Sequence, residues 1–383
     1  MKPFQIPFYR HDLGAAELES LSQALADPIL TTGARVAEFE RRFSDYVGCQ
    51  HTLAVTSCTG GLHLALMGLG IGPGDEVITT PMSFIATATA IEEAGATPVF
   101  VDVEDATGNI DVALIEEKIT ARTKAIIPVH LYGAMCDMKA LRSIADKHDL
   151  SIVEDSAHCV EGQRDGIRPG QLSDAACFSF YATKNLTCGE GGAVITNDGA
   201  LQKRMKLLSQ HGMDRTAYDR ANDGYRHWDM VMMGWKYNMS NIEAALLLPQ
   251  LNRLDEKYDK RAEVAAKYLA GLSCIDGIRL PSTPAECVHS WHLFTIWSQK
   301  IPRDDLVLLL RENGIESVVN YRPIHLMTWF REAYEFQPGD YPIAERIGEQ
   351  TISLPFYPDM SLDDVDAVCM VLNSLFAQNH AGV

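Results

Sequence analysis

Between residues 50 and 200 the chain alternates short apolar runs with stretches whose apolar positions recur every three to four residues. The runs at 53–56, 76–80, 98–102, 124–129 and 151–154 have the length and composition of buried strands, whereas 62–69, 85–93, 113–119 and 138–148 have helical spacing. Two helices precede them, 15–26 and 37–46, with Thr31-Thr32-Gly33 as the break. Strand and helix in alternation predict an α/β domain of three layers (α/β/α) around a mostly parallel sheet. Sheets of that kind bind ligands beyond the carboxyl ends of their strands.

Two further strands, 175–180 and 192–196, enclose a polar, glycine-containing turn with a single lysine, Lys184. After a helix at 201–210 comes a polar, aromatic-rich stretch, 213–233, too long for a plain connection and read as a functional loop. Helical periodicity then runs from 241 to 272 with Pro249 as a break. A strand at 291–297, a helix at 303–312, a strand at 315–319 and helices at 343–349 and 362–376 complete a smaller α+β unit. The division expected is a large domain over residues 1–245, including an N-terminal arm, and a small one over 246–383.

Composition narrows the function classes. With 33 basic against 51 acidic residues, the net charge of −18 opposes any general affinity for nucleic acid or an anionic membrane, so an anionic ligand needs a local site. The first residues lack a signal-peptide core, and no run approaches a membrane span. Nine cysteines are scattered without a CxxC pair or metal-ligand spacing, which fits a cytoplasmic location and no metal.

The candidate chemistry gathers at strand ends. A lysine just beyond a buried strand is desolvated, which disfavours its ammonium and frees a lone pair for attack on a carbonyl carbon; the bland alternative for Lys184 is a surface lysine in a hairpin. Ser57-Cys58-Thr59-Gly60-Gly61 links a strand to a helix, where free N–H groups and the helix dipole suit a phosphate, or where Ser57 or Thr59 simply caps the helix. Asp155 ends another strand, 29 residues before Lys184 (184 − 155), and would keep a heteroaromatic nitrogen protonated if it is not itself a cap. His158 could donate to a phenolic oxygen, while Phe84 and Ala157 could cover the two faces of a ring; core packing is the alternative for both His158 and Phe84. Together these residues describe a pyridoxal phosphate (PLP) site. The glycine fingerprints of a P-loop or a dinucleotide fold are absent.

Along nearly its whole length the chain also resembles the DegT-type sugar-nucleotide aminotransferases, a branch of the fold type I PLP enzymes. The resemblance is carried by Ile71-Gly72-Pro73-Gly74-Asp75-Glu76-Val77, Pro128-Val129-His130-Leu131-Tyr132-Gly133, Glu154-Asp155-Ser156-Ala157-His158, the segment from Phe178 to Gly192, Tyr237-Asn238-Met239-Ser240, Trp291-His292-Leu293-Phe294 and Leu354-Pro355. Among its members the chain looks closest to aminotransferases of UDP-4-keto sugars, through Ala217-Tyr218-Asp219-Arg220, Val288-His289-Ser290-Trp291-His292 and Phe356-Tyr357-Pro358-Asp359-Met360. It departs from them at Tyr181, where many relatives carry His, and at Cys58 and Gly61, where Gly or Ala is more usual.

The resemblance implies that Lys184 holds PLP covalently, Asp155 pairs with the pyridinium nitrogen, His158 sits near the ring hydroxyl and Phe84 stacks. It also implies that Thr59, Gly60 and Ser179 hold the phosphate, with Asn238 reaching that phosphate from the neighbouring subunit of a homodimer. Tyr321, Arg322 and His325 are expected at the sugar nucleotide. The implied reaction is a ping-pong transamination in which L-glutamate leaves its amino group on the cofactor as pyridoxamine phosphate (PMP) and a nucleotide-linked keto sugar takes it up. A non-catalytic PLP sensor is the alternative from another class. A sugar dehydratase of the same family would carry His in place of Lys184.

Overall fold

Side-chain alternation along the central strands explains the layering. In β5 (Ser151–Asp155), β7 (Ala175–Ser179) and β8 (Gly192–Thr196) every residue but Ser151 is buried. Successive residues face opposite ways, so Val153, Cys177 and Val194 enter one core cluster while Phe178, Ala193 and Ile195 enter another. A sheet apolar on both faces needs helices on both, which is the three-layer arrangement. The computed structural model describes residues 5–215 and 227–378.

Seven strands form the sheet, in the order β1-β8-β7-β5-β4-β2-β3, with β1 at His51–Val55, β2 at Glu76–Thr79, β3 at Thr97–Phe100 and β4 at Thr123–Ile126. Strand β8 pairs antiparallel with both neighbours, β1 and β7, and every other pairing is parallel. The carboxyl ends of the six remaining strands therefore lie along one edge of the sheet. Helices α3 (Cys58–Leu69), α4 (Ala86–Glu93) and α6 (Gly199–Leu208) cover one face. The other carries α2 (Ala34–Val47), α5 (Met138–His148) and α7 (Asn241–Leu251), while α1 (Ala15–Leu25) precedes α2.

A second core lies towards the C-terminus. Helix α8 (Leu254–Leu272) contributes Val264, Tyr268 and Leu272 to it, joined by β11 (Phe294–Ser298), α9 (Arg303–Glu312), β12 (Thr351–Leu354) and α12 (Leu362–Gln378). Ile6 of the N-terminal arm inserts into this cluster, and Phe8 N–H reaches Glu316 Oε2 at 2.9 Å, so the arm is fixed to the C-terminal part. Among the described residues no helix is long and apolar enough to cross a membrane.

Three expected elements differ. Residues 113–119 form two 3₁₀ turns, Val112–Leu114 and Glu116–Lys118, rather than an α-helix; between them only Ile115 is fully buried, too small an apolar face to hold a helix down. Residues 315–319 are not a strand: they make isolated bridges, Ile315 to Ile6 and Val318 to Ser353, and β12 supplies the strand beside β11. The strand expected from 291 starts at Phe294, because Trp291 takes a left-handed φ of 49° and Ser290 N–H is drawn to Gly133 O.

Candidate active site

A cavity of about 460 Å³ opens at the carboxyl edge of the sheet, within the ordinary range of ligand pockets. Lys184 and Asp155 both line it, with Thr59, Phe84, His158, Ser179 and Tyr321.

Backbone ladders place the lysine. Phe180 N–H bonds Gly191 O and Cys188 N–H bonds Phe180 O, so the turn between β7 and β8 is closed at its base. Gly189 crosses it at φ +89°, a conformation glycine adopts without strain. Lys184 sits within this turn, its N–H bonded to Tyr181 O, and its Nζ lies 3.2 Å from His292 Nε2. Burial lowers its pKa from 10.5 to about 8, against the opposing pull of Asp155 and Cys58. A substantial fraction of the amine is thus neutral near pH 7 to 8, as an attacking amine must be.

Asp155 ends β5 and is 6% exposed. Its Oδ2 accepts from Thr87 Oγ1 at 2.7 Å and its Oδ1 from Ala157 N–H at 3.2 Å. Thr87 has one hydroxyl hydrogen, which goes to the carboxylate, so the 2.7 Å contact between Ser83 Oγ and Thr87 Oγ1 is donated by Ser83. His158 is equally determined: Tyr132 N–H donates to its Nδ1 at 3.2 Å, which puts the imidazole hydrogen on Nε2, and Nε2 faces Tyr321 OH at 3.1 Å. Burial, with Lys184 nearby, keeps His158 neutral by holding its pKa well below the usual range.

Ser57 caps α3, accepting from Gly60 N–H at 3.0 Å. The first turn still presents the N–H groups of Cys58 and Thr59 at a helix N-terminus beside the cavity. It comes this close because Gly192 is opposite both Val55 and Ser179, and a Cβ there would lie 2.5 Å from Cys58 N and from Ser57 C. Gly60 is not on the cavity wall: its N–H serves Ser57, and its missing Cβ leaves room for the Tyr237 ring, 3.1 Å from where that Cβ would be. Phe84, 55% exposed on the wall, offers a flat apolar face.

These residues fit PLP: a desolvated amine, a buried carboxylate, a helix N-terminus with Ser179 beside it, and the Phe84 face share one cavity.

Two residues expected at the sugar nucleotide, Arg322 and His325, stand off this cavity, as does Asn238, which is expected at the phosphate of a neighbouring subunit and not at this chain's own site. Asn238 bonds Thr32 Oγ1 at 2.6 Å on a separate recess of about 170 Å³ that shares no lining residue with the larger cavity. Arg322 is exposed and off the cavity wall. His325 is fully buried, 3.0 Å from Glu345 Oε1 and packed against Tyr341, so within this chain its side chain belongs to the core beside α11 (Pro342–Gln350) rather than to the cavity. Residues 217–220, which contributed to the resemblance, lie outside the described residues.

Reasoning from the sequence missed Thr87 and His292. His292 stood inside a segment that carries the resemblance and Thr87 inside the helical stretch 85–93, but a hydroxyl 68 positions from Asp155 and an imidazole 108 positions from Lys184 give no local signal of the contact.

Comparison with known proteins agrees with this geometry. The spore coat polysaccharide biosynthesis protein SpsC of Bacillus subtilis is 39% identical over 372 residues, 96% of this chain and 95% of that protein. The structure of S. venezuelae DesV in complex with a ketimine intermediate superposes with a TM-score of 0.91 at 35% identity, covering 98% of this chain and 99% of that one. A Streptococcus pneumoniae protein described as a sugar aminotransferase, solved in its PMP form, gives a TM-score of 0.91 at 31% identity, covering 99% and 100%; it has also been solved in a PLP form. Residues 11–373 match the DegT/DnrJ/EryC1/StrS aminotransferase family, and the chain belongs to that family of PLP-dependent sugar aminotransferases.

Proposed function

We propose that this enzyme moves the amino group of L-glutamate to the C4 ketone of a UDP-linked deoxy or pentose keto sugar, supplying a precursor for a cell-surface glycan such as lipopolysaccharide. The observation that carries the reading is that Lys184 and Asp155 face one cavity, with the amine desolvated enough to act as a base. That pairing argues against a sensor without turnover, which needs neither.

When bound, PLP supplies an electron sink for the pair left by a broken C–H bond. The chain's residues do the rest. Asp155, held by Thr87 and Ala157, keeps the ring nitrogen protonated. The N-terminus of α3 and Ser179 anchor the phosphate, and Phe84 covers a ring face. The amine of Lys184 takes the proton from Cα of the amino donor and delivers it to the carbon on the other side of the transferred nitrogen, then reverses the transfer when the sugar is aminated. The cavity wall carries no arginine among the described residues, and two substrate carboxylates and a diphosphate call for more cations and donors than Lys184 alone. Asn238 of a second copy of the chain is proposed to complete the site in a homodimer.

The test is to offer the purified enzyme, with L-glutamate, a panel of UDP- and dTDP-linked 4-keto and 3-keto sugars and to follow 2-oxoglutarate and the amino sugar by mass spectrometry. Amination of a UDP-4-keto sugar is the expected result. Turnover confined to dTDP or 3-keto sugars overturns the substrate assignment, and no turnover with any of them favours the sensor.

A further inference from the structure

A second group touches the reacting amine. His292 lies just before β11, 6% exposed, with Nε2 3.2 Å from Lys184 Nζ; its ring packs against that of His158, tilted by 38° with centroids 4.4 Å apart. Its Nδ1 is buried without a partner among the described residues. An imidazole whose Nε2 faces a lysine amine is poorly placed to become a cation, because once that amine is an ammonium it has no lone pair to accept from an Nε2–H, so the ring can only accept there and keeps its one hydrogen on Nδ1.

We infer that His292 is a catalytic residue of the proton transfer: it stays neutral and accepts a hydrogen bond at Nε2 from the ammonium that Lys184 becomes. This rests on the assignment of Lys184 as the proton carrier. In the step itself the Cα–H bond breaks, its electron pair is left to the electron sink that bound PLP would supply, which would carry it to the accepting carbon, and the proton forms a new N–H bond on Nζ. One of the ammonium hydrogens points at His292 Nε2, and the proton then leaves Nζ for the accepting carbon. His292 gains and loses no proton.

The surroundings agree with a neutral acceptor. Lys184 faces Asp155 of β5, Cys58 of α3 and His158; His292 faces Lys184, His158, His289 and Arg261. Burial comes first, and the neighbouring Lys184, His158, Arg261 and His289 add to it, in holding the imidazole far below its usual basicity. Asp155 is shared with Thr87 and Ala157, and among the described residues His292 is the side chain within hydrogen-bond distance of Lys184 Nζ, able to accept from a charge that forms and disappears in each half-reaction. Hydrogen bonding to the charged form favours that form, so the imidazole raises the basicity of an amine that burial otherwise lowers.

The position is also braced. Ser290 Oγ donates to Glu161, and Asn185 Nδ2 reaches both Glu161 Oε2 at 2.9 Å and Ser290 O at 3.0 Å. Glu161 is paired in turn with buried Arg261. One carboxylate therefore ties the residue after Lys184 to a residue two before His292, which holds amine and imidazole in register.

The experiment compares His292→Phe and His292→Gln with the parent enzyme, with Lys184→Ala as control. In the cofactor-free proteins the pH dependence of Lys184 acetylation, read by peptide mass spectrometry, reports the amine's own titration. Loss of the acceptor in His292→Phe is expected to lower the midpoint by about one unit, and His292→Gln, whose amide oxygen still accepts, is expected to restore it. In the PLP-loaded enzymes, His292→Phe is expected to slow the glutamate half-reaction by about tenfold or more, with a larger isotope effect from α-deuterated glutamate and PLP affinity within about threefold of the parent. An unchanged midpoint with a half-reaction within about threefold overturns the inference, as does a fall in PLP affinity that matches the loss of rate, which would make His292 a packing residue. Lys184→Ala separates the two levels: if it still converts the cofactor with glutamate, the reading of Lys184 fails, whereas a dead Lys184→Ala beside a normal His292→Phe defeats only the role of His292.

Discussion

Thr87 Oγ1 donates a 2.7 Å hydrogen bond to Asp155 Oδ2, so helix α4 fixes the carboxylate that ends β5. Both residues are buried, and the hydroxyl has no hydrogen left for another acceptor. Thr87→Val keeps the shape and deletes the donor. A hydrogen bond to a charged group contributes about 1.5–3 kcal/mol, so PLP affinity should fall by about tenfold or more, while Thr87→Ser should stay near the parent. Fluorescence or absorbance titration with PLP checks both.

Gly192 lets the first turn of α3 cross β8. An added methyl would sit 2.5 Å from two backbone atoms of that turn, Cys58 N and Ser57 C, and backbone cannot swing aside as a side chain can. Gly192→Ala should therefore cost about 1–3 kcal/mol in denaturant unfolding and should weaken phosphate binding more than it weakens the fold. Titrations with PLP and with pyridoxal, which lacks the phosphate, separate the two effects: the loss should appear with PLP and be small with pyridoxal.

The buried amine makes stability depend on pH. Lys184 has its folded pKa lowered from 10.5 to about 8, so between those values the unfolded chain binds more protons and stability rises with pH. Below about pH 8 the folded protein carries the full cost of a desolvated ammonium. In the cofactor-free form, Lys184→Met should be the more stable protein at pH 7, by up to about 3 kcal/mol, and the difference should close as the pH approaches the unfolded lysine's value. Urea unfolding of both proteins from pH 7 to pH 10 tests the sign; a gap that widens with pH contradicts it.

Glu161 and Arg261 form a buried ion pair, 4% and 2% exposed, on which Asn185 and Ser290 also depend. Glu161→Ala leaves a buried guanidinium without its counter-charge and should cost about 3–5 kcal/mol. Replacing the pair together, Glu161→Leu with Arg261→Met, should recover most of that stability but not the activity, because the tie between Asn185 and Ser290 is still missing. Unfolding and turnover measured on the same samples distinguish the two losses.

Much of this was legible in the sequence because it was local. Strand ends followed by Ser-Cys-Thr-Gly, by Asp and by the lysine turn announced the cavity wall, and the alternation of apolar runs announced the sheet. What escaped was set by contact across the fold. Nothing in residues 315–319 says that the partner of β11 is β12 instead, since both segments mix β-branched or aliphatic residues with polar ones and only pairing register decides between them. His325 carries a chemically suggestive side chain in a suggestive neighbourhood, yet Glu345, 20 residues on, draws it into the core. His292 illustrates the converse, a residue whose importance comes from one distance.

The central claim is that Lys184 is the amine that carries the cofactor. Borohydride reduction of the PLP-loaded enzyme, followed by proteolysis and peptide mass spectrometry, tests it most directly. The account predicts one phosphopyridoxyl group per chain, on Lys184. A reduced adduct on another lysine, or none on a protein that still transaminates, would contradict it.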